Sequence, residues 1–341
     1  MNVIDLCERG YIPDSLSRFG MRRLIAQRLA DESSGDTGAR YRALVDELRL
    51  SPVAVHTDAA NAQHYEVPAE FFRLHLGPRL KYSSALYGPG AATLSAAEEA
   101  MLETCALRAQ VTDGLRILDL GCGWGSLSLW LAEKFPNAQV VGLSNSQGQR
   151  TFIEARAAER GLKNLKIYTG NVVDFDFPAE EGAFDRVMSV EMFEHMRNYQ
   201  SLLSKVACWL KPGGKLFVHI FAHRRLAYPF EVRDGSDWMS QYFFTGGLMP
   251  SADLLGEFQQ DLKLRERWWV DGTHYERTAN DWLKGMDARK AEIMQVFTEA
   301  YGKDAALWFQ RWRMFYMAVA ELFGYRAGSE WGVAHHLFAK P

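Results

Sequence analysis

Two carboxylates and an imidazole stand close together in Glu191-Met192-Phe193-Glu194-His195-Met196, directly after the apolar run Phe184–Val190. An imidazole beside a carboxylate can take a proton from an acceptor group, and a second carboxylate can hold a cationic one. The plain alternative is a solvated helix start, where acidic side chains are favoured. A second constellation is Ile117-Leu118-Asp119-Leu120-Gly121-Cys122-Gly123-Trp124-Gly125. It reads as an apolar strand ending in an acid, then a glycine-rich turn, with a helical stretch from Ser126 to Phe135. Glycines let backbone approach a ligand closely, and a helix N-terminus offers unpaired N–H groups. The spacing is GxGxG, and no Lys-Ser or Lys-Thr pair closes it, so neither a dinucleotide fingerprint nor a P-loop fits.

Other candidates also follow strand-like runs. Ser144-Asn145-Ser146-Gln147-Gly148-Gln149 offers hydroxyls and amides suited to ribose, with Asn145 or Ser146 also available as a helix cap. Gly170-Asn171-Val172-Val173-Asp174 stands where a base ring is reached in doubly wound sheets, through Asn171, Asp174 and the Val172 N–H. His219 and His223 lack nearby acidic or cysteine partners, so no metal site is expected. His335-His336 reads as a structural pair. The stripe Trp308, Trp312, Phe315, Tyr316, Phe323 has helical spacing and reads mainly as core, with cation–π contact as a minor role.

The elements that must position these groups alternate from position 115. Strand-like runs cover Arg116–Leu120, Gln139–Leu143, Leu165–Thr169, Phe184–Val190 and Lys215–His219. Helical runs cover Leu127–Phe135, Gln147–Arg160 and Tyr199–Leu210. Such alternation predicts an α/β, doubly wound, mostly parallel sheet with ligands beyond the strands' carboxyl ends. Before it, residues 1–110 read as a helical cap, and 111–220 as the core. Residues 221–310 read as an inserted lid rich in aromatic residues, and 311–341 as a helix and closing strand.

The 341 residues are 48% hydrophobic and 13% aromatic, enough for a sizeable core. A net charge of −3 without a basic block argues against nucleic acid. No apolar run reaches the ~18–20 residues of a membrane span. The N-terminus reads without a secretory leader, since Asp5, Glu8 and Arg9 interrupt it, and the four cysteines are scattered without CxxC spacing. A cytoplasmic protein with reduced thiols is expected. The helical N-terminal part is compatible with a homodimer.

The glycine run resembles motif I of class I S-adenosylmethionine (SAM) methyltransferases. The set Gln63-His64-Tyr65-Glu66-Val67-Pro68, Lys81-Tyr82-Ser83-Ser84, the glycine run, Val141-Gly142-Leu143-Ser144, Glu191–Met196 and Tyr242-Phe243-Phe244-Thr245-Gly246-Gly247 resembles the cyclopropane-fatty-acid-synthase-like methyltransferases. The match is closer to the alkaloid N-methyltransferases of that family, through Glu191–Gln200, Tyr242–Ala252 and Val319–Tyr325. The resemblance implies a Rossmann-like seven-stranded sheet. It implies SAM as cofactor, held by Tyr82, Ser83, Asp119, Gly121, Gly123, Trp124, Ser144, Asn145, Gln149, Asn171 and Val172. It implies Glu194 and His195 as a catalytic pair acting as general base, and Glu191 as the carboxylate near an amine. His219, Phe221, Phe244, Trp312 and Tyr316 are the expected substrate contacts. The expected reaction is N-methylation of a small aromatic, benzylisoquinoline-like amine. The alternative is methyl or methylene transfer to unsaturated phospholipid acyl chains. The lipid enzymes hold a bicarbonate base with a cysteine after Tyr-Ser. Here that position is Ser84, which weakens bicarbonate binding although Glu194, His219 and Tyr316 match.

Overall fold

The computed structural model describes residues 3–54, 67–232 and 237–341. Gln63–Glu66 of the resemblance motif lie outside the described residues. The strands are β1 (Arg116–Leu120), β2 (Gln139–Ser144), β3 (Leu165–Thr169), β4 (Phe184–Val190), β5 (Leu210–His223), β6 (Tyr228–Pro229), β7 (Leu248–Met249), β8 (Lys263–Val270) and β9 (Trp331–Ala339). The helices are α1 (Val3–Glu8), α2 (Asp14–Ser33), α3 (Thr37–Leu50), α4 (Ala69–His75), α5 (Leu94–Arg108), α6 (Ser126–Lys134), α7 (Gln147–Glu159), α8 (Tyr199–Trp209), α9 (Trp238–Tyr242), α10 (Gly272–Ala288), α11 (Lys290–Tyr301) and α12 (Ala305–Gly324).

Seven strands form one sheet in the order β3-β2-β1-β4-β5-β9-β8, and β6 pairs β7 in a separate ribbon. Strands β1 to β5 pair in parallel, whereas β9 runs antiparallel to both β5 and β8. The order reverses between β1 and β4, which opens a crevice at the carboxyl ends of those two strands. Central strands covered on both faces read as apolar runs: β1 is buried from Ile117 to Leu120, and β9 along its whole length. The edge strand β8 carries Lys263, Arg265, Glu266 and Arg267, charges that discourage further pairing.

Two differences from the sequence reading have simple causes. β5 extends beyond Lys215–His219 at both ends, because Leu210 pairs Phe184 across an irregularity that absorbs Pro212 and the glycines, and because Ile220–His223 pair Trp331–Ala334 of β9. The stretch 221–310 also supplies β8, whose crowded charges hide the alternation of a half-exposed edge. Helices α1 and α2 pack on α12 through Glu8–Arg311 (2.8 Å) and Arg18–Glu321 (2.9 Å), tying the N-terminal cap to the C-terminal helix. Among the described residues no helix is long and apolar enough to cross a membrane.

Candidate active site

The glycine turn leaves β1 at the crevice. Gly121, Gly123 and Gly125 have φ of +81°, +51° and +79°, a region costly for any residue with a Cβ. The N–H groups of Gly121 and Cys122 both donate to the Leu143 carbonyl (3.0 and 3.1 Å), pinning the turn to β2. A Cβ on Gly121 would stand 2.7 Å from Met192 Cγ, whereas one on Gly123 would meet nothing within 4 Å. The second glycine thus faces open space, as a turn that cradles a ligand should. At the end of β1, Asp119 is buried and accepts from Ser128 Oγ (2.6 Å), and burial pushes its carboxyl up to about 7.

The ends of β2 and β3 complete this half. Ser146 caps α7 by accepting from the Gln149 N–H, so Asn145 is left exposed at the crevice. Ser144 Oγ donates to Gln149 Oε1 (2.6 Å), while the buried Gln149 Nε2 has no partner among the described residues. Gly121, Gly123, Ser144, Asn145, Gln149, Asn171, Val172, Met192 and His195 line one continuous pocket. An orphaned amide donor, an open glycine cradle and hydroxyl and amide groups at successive strand ends fit a nucleoside-bearing ligand such as SAM.

A second pocket adjoins the first and shares Gly121, Gly123, Gln149 and His195 with it. It is lined by Lys81, Tyr82, Ser83, Asp119, Trp124, Glu191, Glu194, Phe221 and Phe244, and by Tyr275, Trp282, Phe315 and Val319. His195 lies over Phe244 with ring centres 4.9 Å apart, and Phe244 meets Phe221 edge-on at 5.3 Å. Glu194 is buried, and its Oε2 has no partner among the described residues. Burial, and next the charge of Glu191, push the Glu194 carboxyl well above the usual carboxylate range.

Glu191 is placed differently. It sits just past β4 with φ +48°, a strained conformation of the kind found at functional sites. Its Oε1 accepts from the Ser84 N–H (3.1 Å) and lies 3.2 Å from His219 Nε2, and its Oε2 accepts from Tyr275 OH (2.6 Å). Most of its acceptor capacity is used. Burial raises its carboxyl too, against the lowering effect of the nearby Lys81 amino group, whose own pKa burial lowers. Lys81 Nζ donates to Ser83 Oγ and to the Ser84 carbonyl (2.8 Å).

The expected residues therefore fall into three groups. All the expected cofactor contacts, the acids with His195, and Phe221 and Phe244 line the two pockets. His219 is completely buried behind Glu191. Trp312 and Tyr316 are also completely buried and line neither pocket, contrary to expectation. Trp312 packs on Phe71 and Phe243, and Tyr316 OH lies 2.7 Å from His75 Nε2. The same helix instead presents Phe315 and Val319, because the apolar stripe is wider than its cavity-facing edge. Lys81, Tyr275 and Trp282 were not singled out from sequence. Lys81 belongs to the Lys81–Ser84 motif, but its aliphatic-versus-ionic role depends on partners far along the chain.

A crevice at the switch point of a parallel sheet, with this glycine turn and these strand ends, defines a SAM-dependent methyltransferase. Comparison with known proteins agrees. The sequence model of the family "Mycolic acid cyclopropane synthetase" matches residues 55–327. An (S)-coclaurine N-methyltransferase from Papaver somniferum is 37% identical, over 98% of this chain and 96% of its own. The cyclopropane-fatty-acyl-phospholipid synthase of Escherichia coli K12 is 28% identical, over 70% of this chain and 59% of its own. A crystal structure of coclaurine N-methyltransferase bound to N-methylheliamine and SAH superposes with TM-score 0.95 at 34% identity, covering 99% of both chains. The chain belongs to the mycolic acid cyclopropane synthetase family, among its coclaurine N-methyltransferase-like members.

Proposed function

We propose that the protein methylates the nitrogen of a small aromatic amine of the benzylisoquinoline class, with Glu194 and His195 managing the amine proton. The observation that carries this reading is Glu194 Oε2, buried without a partner among the described residues in an aromatic-walled pocket beside the glycine turn. A buried carboxyl is costly unless something satisfies it, and an ammonium group supplies both charge and hydrogen bond. The rings of Tyr82, Phe221, Phe244 and Phe315 suit a cation attached to an aromatic body.

Bound SAM supplies a methyl group made electrophilic by its sulfonium. A nitrogen attacks only as the free base, so the chain must remove a proton and keep the lone pair aligned. Glu194, whose carboxyl is held high by burial, accepts that proton. His195, at the junction of the two pockets and stacked on Phe244, orients the nitrogen and can pass the proton outward. Glu191, held by the Ser84 N–H, His219 and the Tyr275 hydroxyl, presents the second carboxyl to the ammonium on arrival. Relatives named for coclaurine and pavine N-methylation support the substrate class.

The lipid reading needs donors for bicarbonate, and those donors are otherwise engaged. Ser84 Oγ donates to the Ala85 carbonyl (3.2 Å), Tyr316 pairs with His75, and His219 lies between Glu191 and His335. The test offers methyl-labelled SAM with a panel of isoquinoline amines, and in parallel with vesicles of unsaturated phospholipid with and without bicarbonate. Label in an amine is expected. Label in lipid, raised by bicarbonate, would overturn the amine reading.

A further inference from the structure

Behind Glu191, four side chains from four elements form one hydrogen-bonded chain. Arg108, at the end of α5, places a guanidinium nitrogen 2.6 Å from His335 Nδ1. His335 Nε2 lies 2.9 Å from His219 Nδ1, and His219 Nε2 lies 3.2 Å from Glu191 Oε1. The strands dictate this: His219 and His335 are direct partners in the antiparallel β5–β9 pair, and Trp268 of β8 is the next partner of His335. Residues directly opposite in a sheet share a face. Arg108 lies on the Trp268 ring, 5.1 Å from its centre, which holds the guanidinium at the imidazole.

The chain has only one consistent direction. A guanidinium carries donors and no acceptor, so His335 Nδ1 must offer its lone pair. Its Nε2 then bears the proton and donates to His219 Nδ1. His219 in turn carries its proton on Nε2 and donates to Glu191. Cys105 Sγ, 3.8 Å from His219 Nδ1, is a second donor to the same lone pair, since burial keeps it a thiol with its pKa pushed up to about 11. Cys105, His219 and His335 bring three ligand-type atoms within 4.8 Å. A metal ion there would have to break the His–His bond beside the positive Arg108 and Lys81, so the cluster reads as a proton-ordered chain.

We propose that Arg108 and His335 are positioning residues which, through His219, keep Glu191 as the permanent anion of the acidic pair and so leave Glu194 as the carboxyl that takes the acceptor's proton. Two neighbouring carboxyls in a dry site share protons unequally, and the one receiving more donated hydrogen bonds stays ionised. Glu191 also receives the Ser84 N–H and Tyr275 hydroxyl and faces the Lys81 ammonium. Lys81, Arg108 and His336 are the charged or titratable groups that, with His219, act on His335. The role given to Glu194 rests on the function proposed above; the ordering of the two carboxyls does not.

The test is therefore made first without substrate. In protein labelled with 15N-histidine and 13C-glutamate, nuclear magnetic resonance is expected to show His219 and His335 neutral, each protonated at Nε2. On lowering the pH, Glu194 is expected to take its proton before Glu191. A His219 protonated at Nδ1, or Glu191 protonating first, overturns the proposal. His335→Phe and Arg108→Met should reverse or merge the two carboxyl titrations, whereas His335→Gln and Arg108→Lys, which keep a donor, should preserve their order. In turnover with an accepted amine, the two disrupting variants should lose roughly ten- to a hundred-fold in kcat, the scale of one hydrogen bond to a charged group. Their acid limb should move to higher pH with SAM affinity unchanged. Equal behaviour of Arg108→Lys and Arg108→Met would assign Arg108 a structural role only. Absence of any amine turnover would sink the proposed function while leaving the carboxyl order decided by the resonance data.

Discussion

The two halves of the crevice are built on opposite principles. The proposed cofactor half, at the ends of β1, β2 and β3, relies on backbone: three left-handed glycines, a capped helix start and short polar side chains that bond to residues nearby in sequence. The proposed acceptor half relies on burial. Its groups come from the loop after α4, from the ends of β4 and β5, and from α10 and α12, and they include two carboxyls and an amino group largely buried from solvent. The first half can be preorganised cheaply because local geometry fixes it. The second concentrates unfavourable desolvation, which is how a site sets proton affinities away from their ordinary values.

That contrast predicts a clean separation of effects. Glu194→Gln keeps the shape of the acceptor half but removes the proton acceptor, and should lower kcat by about 10²–10⁴-fold, the usual scale of general-base catalysis. SAM affinity, measured by calorimetry, should hardly change. A variant that retains turnover would show that Glu194 only fills space. Gly121→Ala attacks the other half. Its Cβ would lie 2.7 Å from Met192 Cγ in a left-handed conformation, so SAM affinity should fall by roughly ten- to a hundred-fold from strain of a few kcal/mol. Unchanged SAM affinity would mean the turn is merely structural.

The pH dependence follows from the same desolvation. Glu194's carboxyl lies well above the ordinary carboxylate range, so its base form is lost on acidification sooner than an exposed glutamate's would be. Turnover should therefore fall on the acid side at a pH above that range, where the amine is also more fully protonated. A rate flat down to the ordinary glutamate range would contradict the desolvated base. Phe244→Ala should be milder. Removing the ring that meets His195 and Phe221 should raise the amine KM by about three- to ten-fold, the worth of one aromatic or cation–π contact.

The contrast also explains what the sequence made legible. Whereas Tyr82 and Ser83, in the loop after α4, rest on the resemblance, Gly121, Ser144, Gln149 and Asn171 among the expected cofactor contacts follow strands, and the rule placing ligands at strand ends reaches them from local pattern alone. The acids after β4 were visible for the same reason. What the pattern could not show was pairing across the chain. His335 looked structural because its meeting with His219 depends on the antiparallel register of β5 and β9. Tyr275 and Trp282 lay on a helix whose buried face could not be oriented without its partners. Spacing reads the stripe of Trp312 and Tyr316 mainly as core and the resemblance places both at the substrate, whereas Phe315 and Val319 of the same helix face the cavity. Helical spacing identifies a buried stripe but cannot separate its edge toward a cavity from its edge toward a core. Only the resemblance separates Glu194, paired with His195, from Glu191, and the hydrogen bonds received by Glu191 give that separation a physical basis.

The smallest expected effect tests whether the cofactor half is as local as it appears. Ser146 caps α7 through a single side-chain bond from the Gln149 N–H, 3.3 Å long, and lines neither pocket. Ser146→Ala should cost about 1 kcal/mol of stability, the usual worth of an N-cap, read as a lower denaturation midpoint. Gln149 would still be held by Ser144 Oγ, which also accepts from the Ser146 N–H (3.0 Å), so kcat should be unchanged and SAM affinity nearly so. If SAM affinity instead fell as far as in Gly121→Ala, the helix start would be positioning the cofactor, and the cofactor half would depend on side chains as much as on backbone.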